Sequence, residues 1–568
     1  MIRTITLMTI VSVGLLGACN GMSENGPAAN EAAERVFTGG TIHTGLGHTV
    51  EAVAVREGRI IYAGDAAGLA EFTGSYTETV DLAGAAMFPG FTDSHAHLIG
   101  IGQRERTLNL EETTSIADLQ ARVAAYAETN SEGVVFGRGW IETHWPEARF
   151  PGAADLDAVV ADRPVILIRA DGHALVANTA AIEAAGVTDA TPDPDGGAIL
   201  RGEDGRATGM IIDTAMAPFR ALLGEPTEAE RVEIYEAGAR VMASYGWTGV
   251  HDMSVPYRDV AILERLADEG RLPLRVHVSA NPGDYADVAA NAPRQHASGQ
   301  VTARAVKLYA DGALGSRGAA LINPYADDPA NRGLMLMQAE AAGAMMDDAL
   351  RDGVQLAIHA IGDLGNRSVL DWVEAAYARV PVEDRAIDEP RWRIEHTQVV
   401  SPSDLPRIAE LGLIASMQPS HAIGDLHFAP ARLGLQRLSG AYAWRDITDS
   451  GAVIAGGSDA PVERGEARIE FYAATVRRDL DGFADPATWH LEQALSREEA
   501  LALFTSNAAF AAFREEELGT IQPGMLADFS VFDMDLMTAE DLNLRHARPV
   551  MTVIGGEIVW RGGDVKLG

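Results

Sequence analysis

Short apolar runs alternate with longer amphipathic stretches through the central part of the chain, and this alternation predicts strands separated by helices. One apolar run ends at His97, and seven more follow after residue 246. The later runs cover residues 249–252, 274–278, 303–309, 355–359, 392–396, 413–417 and 452–456. Alternating strands and helices are typical of an α/β fold, and eight such units predict a (β/α)8 TIM barrel over residues 88–510.

The connection between the first and second predicted strands is much longer than the others. About 150 residues separate these strands, far more than a single strand-to-helix connection takes. We therefore expect residues 108–216 to form an inserted subdomain on the substrate side of the barrel. This segment contains helical and strand-like stretches of its own, such as residues 165–169.

The two ends of the chain share a β-rich pattern that differs from the centre. Residues 51–64 form two β-rich runs around Glu57-Gly58, a hairpin signal, and a shorter run covers residues 79–82. Residues 527–533 and 550–560 repeat this pattern near the other end. We expect residues 35–87 and 511–568 to form one small composite β-sandwich.

The first residues have the pattern of an export signal. Arg3 precedes a short apolar core that ends in Leu16-Gly17-Ala18-Cys19, which resembles the lipobox of bacterial lipoproteins. We expect a signal peptide over residues 1–19, lipidation of Cys19, a flexible tether over residues 20–34, and a periplasm-facing protein anchored to the membrane through the lipid. The alternative is an ordinary cleaved signal that leaves a soluble periplasmic protein.

Charge and cysteine content narrow the set of partners. The net charge of −36 repels phosphates and excludes nucleic acid, so we expect a small-molecule substrate and membrane contact only through the lipid anchor. Cys19 is the single cysteine, which excludes a disulfide in the mature domain. The oligomeric state is not readable from the sequence.

Histidines and one aspartate stand where the predicted barrel strands end. His95 and His97 are two residues apart, so on an extended strand they face the same way and can bind one metal ion together. The alternative is two unrelated polar residues. His359, His396 and Asp459 end other strands. Because the carboxyl ends of barrel strands converge, these five residues together favour a metal site.

Lys307 is singled out by composition. The chain contains two lysines, Lys307 and Lys566, and all its other cationic side chains are arginines. A lysine buried at a strand end can lose its proton, whereas an arginine cannot, and a neutral amine can add carbon dioxide to form a metal-bridging carbamate. The alternative is a buried ion pair with Asp311 or Asp252.

Five motifs together resemble the metal-dependent amidohydrolase superfamily, and within it the amidohydrolase 3 family, whose YtcJ-like group is related to N-substituted formamide deformylase. They cover residues 88–97, 307–317, 359–363, 393–396 and 457–462. The resemblance implies that His95, His97 and Asp459 hold one divalent metal ion, which we expect to be Zn²⁺. It further implies that N6-carboxylated Lys307 bridges to a second ion on His359 and His396. The family varies between one and two ions.

The resemblance also marks residues near the substrate. Trp140, Arg169, His173, His421 and Asp425 match family segments on the substrate side. The alternative is structural, with Trp140 in a core and His173 as a hydrogen-bonding loop residue. We expect His251 and His277 to pack or to support the site from outside it.

The expected activity is hydrolysis of a non-peptide carbon–nitrogen bond, in an amide or N-acyl group of a small molecule. The expected chemistry is attack by metal-bound hydroxide, with Asp459 as base and then acid and His421 or His173 as added donors to the oxyanion. One alternative is ester, lactone or phosphoester hydrolysis at the same site. Another is a non-catalytic surface lipoprotein that binds a ligand or metal.

Overall fold

The computed structural model describes residues 32–562, except residues 144, 171 and 195. The predicted signal peptide, Cys19 and most of the predicted tether lie outside these residues. Within the described part of the chain, none of the helices combines the length and apolar character needed to cross a bilayer.

Eight parallel strands form the centre of the molecule, and each pairs with the next one along the chain. They are β1 Phe91–Ala96, β2 Trp247–Val255, β3 Arg275–Ala280, β4 Val301–Tyr309, β5 Gln355–Ala360, β6 Arg393–His396, β7 Ile414–Met417 and β8 Val453–Gly456. A two-residue strand, Arg294–Gln295, pairs antiparallel with β4.

The ring of strands closes just beyond the end of β8. The Asp459 N–H donates to the His95 carbonyl at 2.6 Å, and the His97 N–H donates to the Ala460 carbonyl at 2.8 Å. The predicted (β/α)8 barrel is confirmed. β2 is longer than its predicted run because Met253 and Val255 are buried on both sides of the half-buried Ser254.

Helices cover the outside of the barrel and bury the apolar side chains of the strands. Leu263 and Leu266 of one helix and Leu370 of another lie in the same core as Val278 and Leu308 of the strands. The α-helices of the described residues, including those of the insertion, are Leu98–Arg106, Ile116–Thr129, Ala153–Asp157, Thr179–Ala184, Ala217–Ala221, Glu228–Ser244, Val260–Asp268, Tyr285–Asn291, Ala339–Asp352, Asp363–Arg379, Leu405–Glu410, Pro419–Asp425, Ala429–Leu433, Trp444–Asp449, Ala467–Val476, Arg497–Phe504 and Ser506–Ala511.

Strands from both chain ends form a β-sandwich, as expected. One sheet contains Arg35–Thr38, Ala52–Arg56, Arg59–Gly64 and Glu78–Asp81. The other contains Thr41–His43, Thr49–Val50, Ala86–Pro89, Phe529–Phe532, Pro549–Ile554 and Glu557–Arg561. Phe37 and Val53 of the first sheet and Met87, Phe529 and Val553 of the second share one buried core.

The passage from sandwich to barrel lies at Gly90. Phe88 and Pro89, which we expected at the start of the barrel, pair with the sandwich strand Phe529–Phe532 instead. A Cβ atom on Gly90 would lie 2.3 Å from the Thr248 hydroxyl oxygen, so only glycine fits where the chain crosses to the barrel.

The insertion is a separate layer with a six-stranded sheet of its own. Its strands are Leu108–Asn109, Val135–Trp140, Val165–Arg169, Ala174–Ala177, Gly197–Arg201 and Ala207–Asp213. Ile141, Arg169 and His173 of this layer line the cavity at the carboxyl ends of the barrel strands. The insertion therefore covers the barrel mouth.

Candidate metal centre

The six residues predicted to bind metal all line one cavity at the barrel mouth. They are His95, His97, Lys307, His359, His396 and Asp459. The cavity has a volume of about 230 Å³. This is somewhat below the roughly 300–1,000 Å³ of typical ligand pockets, so the cavity is of a size for a small molecule.

His95 lies fully buried at the end of β1, held from behind by a carboxylate. Its Nδ1 donates a hydrogen bond to Glu395 Oε2 at 2.6 Å, while its Nε2 lies 3.2 Å from Lys307 Nζ. Burial lowers the pKa of His95 to about 4, so its imidazole is neutral at neutral pH. The Nε2 lone pair consequently faces the cavity.

His97 shares this orientation, although a different partner fixes it. Its Nδ1 lies 3.0 Å from the Met253 carbonyl, and because a carbonyl can only accept, Nδ1 carries the proton. Its Nε2 lies 3.1 Å from Asp459 Oδ1. The rings of His95 and His97 are 5.5 Å apart between centroids. The i, i+2 spacing therefore brings both Nε2 atoms into one site.

His396 and His359 face each other from neighbouring strands, with ring centroids 4.5 Å apart. His396 donates from Nδ1 to Gln418 Oε1 at 2.7 Å, which leaves its Nε2 as the acceptor. His359 has Nε2 3.4 Å from the Gly312 carbonyl, which leaves its Nδ1 for a ligand. Burial lowers the pKa of both imidazoles well below the ordinary value.

Asp459 lies just beyond the end of β8, and its carboxylate lies beside the imidazoles of His95 and His97. Burial alone would raise the pKa of its carboxyl, but the neighbouring imidazoles, His95 first, hold that pKa well below its usual range. Asp459 and His396 both have left-handed backbone, with φ of 60° and 74°. Such φ values are strained for residues other than glycine, and strained residues cluster at functional sites.

The donor set fits a metal cation. His95, His396 and Asp459 each offer a ligand atom, and these atoms lie within 4.8 Å of one another. His97 Nε2 and Asp459 Oδ1 lie 3.1 Å apart, close enough to bind one cation together. Neutral imidazole nitrogens and a carboxylate oxygen are ligands that Zn²⁺ and its neighbours prefer.

Lys307 is buried on the floor of this site. Burial lowers the pKa of its ammonium group to about 8, which brings the neutral amine within reach near neutral pH. Among the described residues, Lys307 forms no ion pair with either alternative partner, and the carboxylates that act on its pKa are Glu395 and Asp459. Asp311 accepts backbone N–H groups from Ala320, Ile361 and Gly362, and Asp252 accepts one from Leu98.

Four of the predicted substrate-side residues line the same cavity. Arg169 pairs with Glu142 at 2.8 Å, and His173 Nδ1 donates to Asp213 at 2.7 Å. Asp425 accepts from Gln398 at 2.8 Å and from Tyr442 at 2.5 Å. His421 Nε2 lies 3.6 Å from Asp459 Oδ2 and is buried without a hydrogen-bond partner among the described residues.

Trp140 lies away from the cavity, contrary to our expectation that it contacts substrate. Its side chain is fully buried in the core of the insertion, and its indole N–H donates to the Leu167 carbonyl at 2.9 Å. The alternative interpretation of Trp140 as a core residue agrees with this position, because a buried indole needs a hydrogen-bond acceptor and finds one within its own sheet.

The residues that directly orient the imidazoles, Glu395 and Gln418, were not predicted, whereas His251 was expected to pack or to support the site and lies behind Glu395. Glu395, which orients His95, also accepts two hydrogen bonds from Arg393, and Arg393 donates at 2.7 Å to His251 Nδ1. Two charged residues within an apolar strand, Arg393 and Glu395, were the available sequence signal. Gln418, which orients His396, carried no comparable signal because glutamine is common at strand ends.

An eight-stranded parallel barrel with imidazoles and a carboxylate at its strand ends defines the class of metal-dependent barrel hydrolases. The chain belongs to the amidohydrolase family, whose model (Amidohydro_3) matches residues 78–560. The resemblance found in the motifs is thereby confirmed, and family membership supports hydrolase activity.

Known relatives match almost the whole chain. The putative amidohydrolase YtcJ of Bacillus subtilis is 33% identical, over 92% of this chain and 99% of its own length. N-substituted formamide deformylase of Arthrobacter pascens is 25% identical, over 89% and 94%. The crystal structure of an uncharacterized metal-dependent hydrolase from Pyrococcus horikoshii superposes with a TM-score of 0.73 at 27% identity, over 89% of this chain and 99% of that one.

Proposed function

We propose that the protein is a zinc-dependent amidohydrolase that cleaves a non-peptide carbon–nitrogen bond in an amide or N-acyl group of a small molecule. The observation that carries this proposal is the convergence of imidazoles, each oriented by a hydrogen bond at Nδ1, on the carboxylate of Asp459. A relative at 25% identity named N-substituted formamide deformylase supports the bond type.

The residues divide into two groups around the proposed ions. His95, His97 and Asp459 would hold the more buried ion, and His359 and His396 would hold a second. Lys307 would join them as a carbamate, which forms when its neutral Nζ attacks carbon dioxide, makes an N–C bond and releases a proton. The low pKa of Lys307, caused by burial, favours the neutral amine that this step requires.

A bound zinc ion would lower the pKa of its water to near neutral and would itself polarise the substrate carbonyl. Asp459 is the residue that moves the proton. Its carboxylate is ionised, because neighbouring imidazoles lower its pKa, and it opens onto the cavity that would hold the substrate. One carboxylate can accept the proton of the attacking water and then protonate the leaving nitrogen.

His421 is placed to donate to the substrate carbonyl oxygen as negative charge develops on it. Its buried Nε2 lacks a protein partner among the described residues and lies beside Asp459. His173, Arg169 and Asp425 line the same cavity further out and are the proposed substrate contacts. A donor of this kind contributes about 10²–10³-fold to turnover in other acyl-transfer sites.

Lys307→Ala and Asp459→Asn test the proposal with a panel of N-formyl and N-acetyl amines and the matching esters. We expect zinc-loaded wild type to release amine from the amides, Lys307→Ala to lose activity and metal, and a short-chain carboxylate to restore part of both. We expect Asp459→Asn to retain more metal than Lys307→Ala while losing at least about 10²-fold in kcat, the lower range for acid–base catalysis.

Four outcomes would contradict parts of this scheme. Full activity and full metal content in Lys307→Ala would remove the bridging role, and an unchanged kcat in Asp459→Asn would remove the proton-transfer role. Turnover of the esters alone would reassign the enzyme to ester hydrolysis, and failure of every substrate with zinc bound would favour a non-catalytic binding protein. His427→Ala is the control, since His427 pairs with Asp479 outside the cavity.

A further inference from the structure

Glu463 stands out among the charged residues that line the cavity. It follows Asp459 by four positions, in the segment between β8 and the helix Ala467–Val476, and its carboxylate faces the cavity. Among the described residues it accepts no hydrogen bond and forms no ion pair. Two other charged residues that line the cavity have protein partners, since Asp425 accepts a hydrogen bond from Tyr442 and Arg169 pairs with Glu142.

Glu463 lies close to the proposed catalytic residues. A Cβ atom on Gly424 would lie 3.6 Å from Glu463 Oε1, so the carboxylate rests against the helix Pro419–Asp425. This helix also carries His421 and Asp425. The side chain is therefore within the volume that a substrate would occupy, and on the same wall as the proposed oxyanion donor.

The surroundings of Glu463 disfavour an unpaired negative charge. Val462, Leu314 and Phe428 line the same cavity, and Asp425 and Asp459 add like charge. Burial raises the pKa of Glu463 to about 7, because the nearby His421 offsets only part of the cost of placing a carboxylate there. A ligand that brings a positive charge would remove this cost.

We infer that Glu463 binds a protonated amine on the substrate, so that the preferred substrates are small amides whose amine portion carries a second, cationic nitrogen. The inference deepens the proposed function and rests on it, since the amide is hydrolysed at the metal centre. The net charge of −36 agrees with a cationic substrate, because an acidic surface raises the local concentration of cations and their association rate.

A pair of amides of equal length isolates the charge. N-formyl-1,4-diaminobutane ends in an ammonium group, and N-formylpentylamine has a methyl group in its place. We expect wild type to prefer the charged amide by at least about tenfold in kcat/KM, a usual effect of one charge-assisted contact. We expect Glu463→Gln to bring this ratio close to one, because the amide retains the shape but not the charge.

Glu466→Gln is the matched control. Glu466 lies three residues further along the same segment, but its carboxylate is held by Arg468 at 2.7 Å and does not line the cavity. We expect Glu466→Gln to keep the wild-type ratio. A ratio in Glu463→Gln equal to that of wild type, or a wild-type ratio near one, would overturn the inference.

A binding measurement separates this inference from the proposed function. Calorimetric titration of the zinc-loaded protein with 1,4-diaminobutane and with uncharged 1,4-butanediol requires no turnover. We expect the diamine to bind at least about tenfold more tightly to wild type than the diol does, and to lose this advantage in Glu463→Gln. Amide hydrolysis without diamine selectivity would refute only the inference, whereas selective binding without hydrolysis of any amide would refute only the proposed function.

Discussion

At the scale of single residues, the site depends on which nitrogen of each imidazole carries the proton. Glu395, the Met253 carbonyl and Gln418 each accept from Nδ1 of one histidine, and each thereby turns the Nε2 lone pair toward the cavity. Partners of this kind orient metal ligands and raise their basicity. The contacts behind the histidines therefore matter nearly as much as the histidines.

Glu395→Gln tests this dependence without changing the size of the side chain. A glutamine oxygen can still accept from His95 Nδ1, but it lacks the charge that makes the imidazole a stronger ligand. We expect zinc affinity, measured by competition with a chromophoric chelator, to fall by about 10–100-fold.

Glu470→Gln is the control for loss of a buried glutamate. Glu470 is also fully buried, but burial raises the pKa of its carboxyl well above the ordinary value, so the group is neutral and glutamine resembles it closely. We expect Glu470→Gln to bind zinc like wild type. Equal affinities in the two variants would show that Glu395 does not tune the site.

The sequence indicates the proposed ligands of this site better than their supports. His95, His359 and His396 were singled out because each stands at the end of an apolar run, Asp459 because it follows such a run, and Lys307 because the chain otherwise contains almost no lysine. The contact between His95 and Glu395 joins residues 300 positions apart, and no local pattern reports such a pairing. Glu463 lies in an irregular segment after β8, where periodicity carries no information.

At the scale of elements, the helix after β1 is held in place by close backbone contact. The helix Leu98–Arg106 begins directly after His97, and it packs against the helix Glu228–Ser244. A Cβ atom on Gly102 would lie 1.9 Å from the Ile234 carbonyl oxygen, and one on Gly238 would lie 2.5 Å from the Leu98 carbonyl oxygen. Glycines at both contacts allow the helices to approach this closely.

Gly102→Ala should therefore destabilise the fold, although alanine is the better helix former. The added methyl group meets backbone rather than a movable side chain, so the two helices must separate. We expect the free energy of unfolding to fall by about 1–3 kcal/mol, the usual cost of overpacking. Thermal unfolding followed by circular dichroism measures the change.

Gly283→Ala serves as the control for this substitution. A Cβ atom on Gly283 would meet nothing within 4 Å. The unfolding temperature of the Gly283→Ala protein should therefore stay near that of wild type. If the Gly102→Ala protein were as stable as the Gly283→Ala protein, the two helices would be able to separate without loss of stability.

Element prediction succeeded where apolar runs are continuous and failed where two elements share one run. Strand β5 starts at its predicted residue, and the Gly555-Gly556 turn joins the last two strands. The run before His95 was assigned to one barrel strand, but Gly90 divides it between two sheets. The Pro89-Gly90 pair marks a turn in the sequence. The sequence does not show that the residues before this turn join the sandwich, because that is decided by their pairing with the distant strand Phe529–Phe532.

At the scale of the whole molecule, the proposed metal ligands span the place where the barrel closes. The hydrogen-bonded order runs from β1 to β8, and among the described residues these two strands share no ladder pairing. Backbone contacts between Asp459 and His95 and between His97 and Ala460 close the ring instead. A metal held by His95 and His97 on one side and Asp459 on the other would cross-link the closure.

Removal of the metal should consequently weaken the entire barrel. A ligand that binds only the folded state stabilises it by about 2.7 kcal/mol at a free concentration 100 times its Kd. We expect a chelator to lower the unfolding temperature in calorimetry and to abolish amide hydrolysis, and stoichiometric zinc to restore both. β1 and Asp459 belong to one continuous barrel. The single unfolding transition should therefore shift to lower temperature as a whole, and no separate transition at lower temperature should appear for the residues at the barrel mouth. Loss of activity without any shift in the unfolding temperature would show that the metal acts in chemistry alone and that the backbone contacts suffice to close the ring.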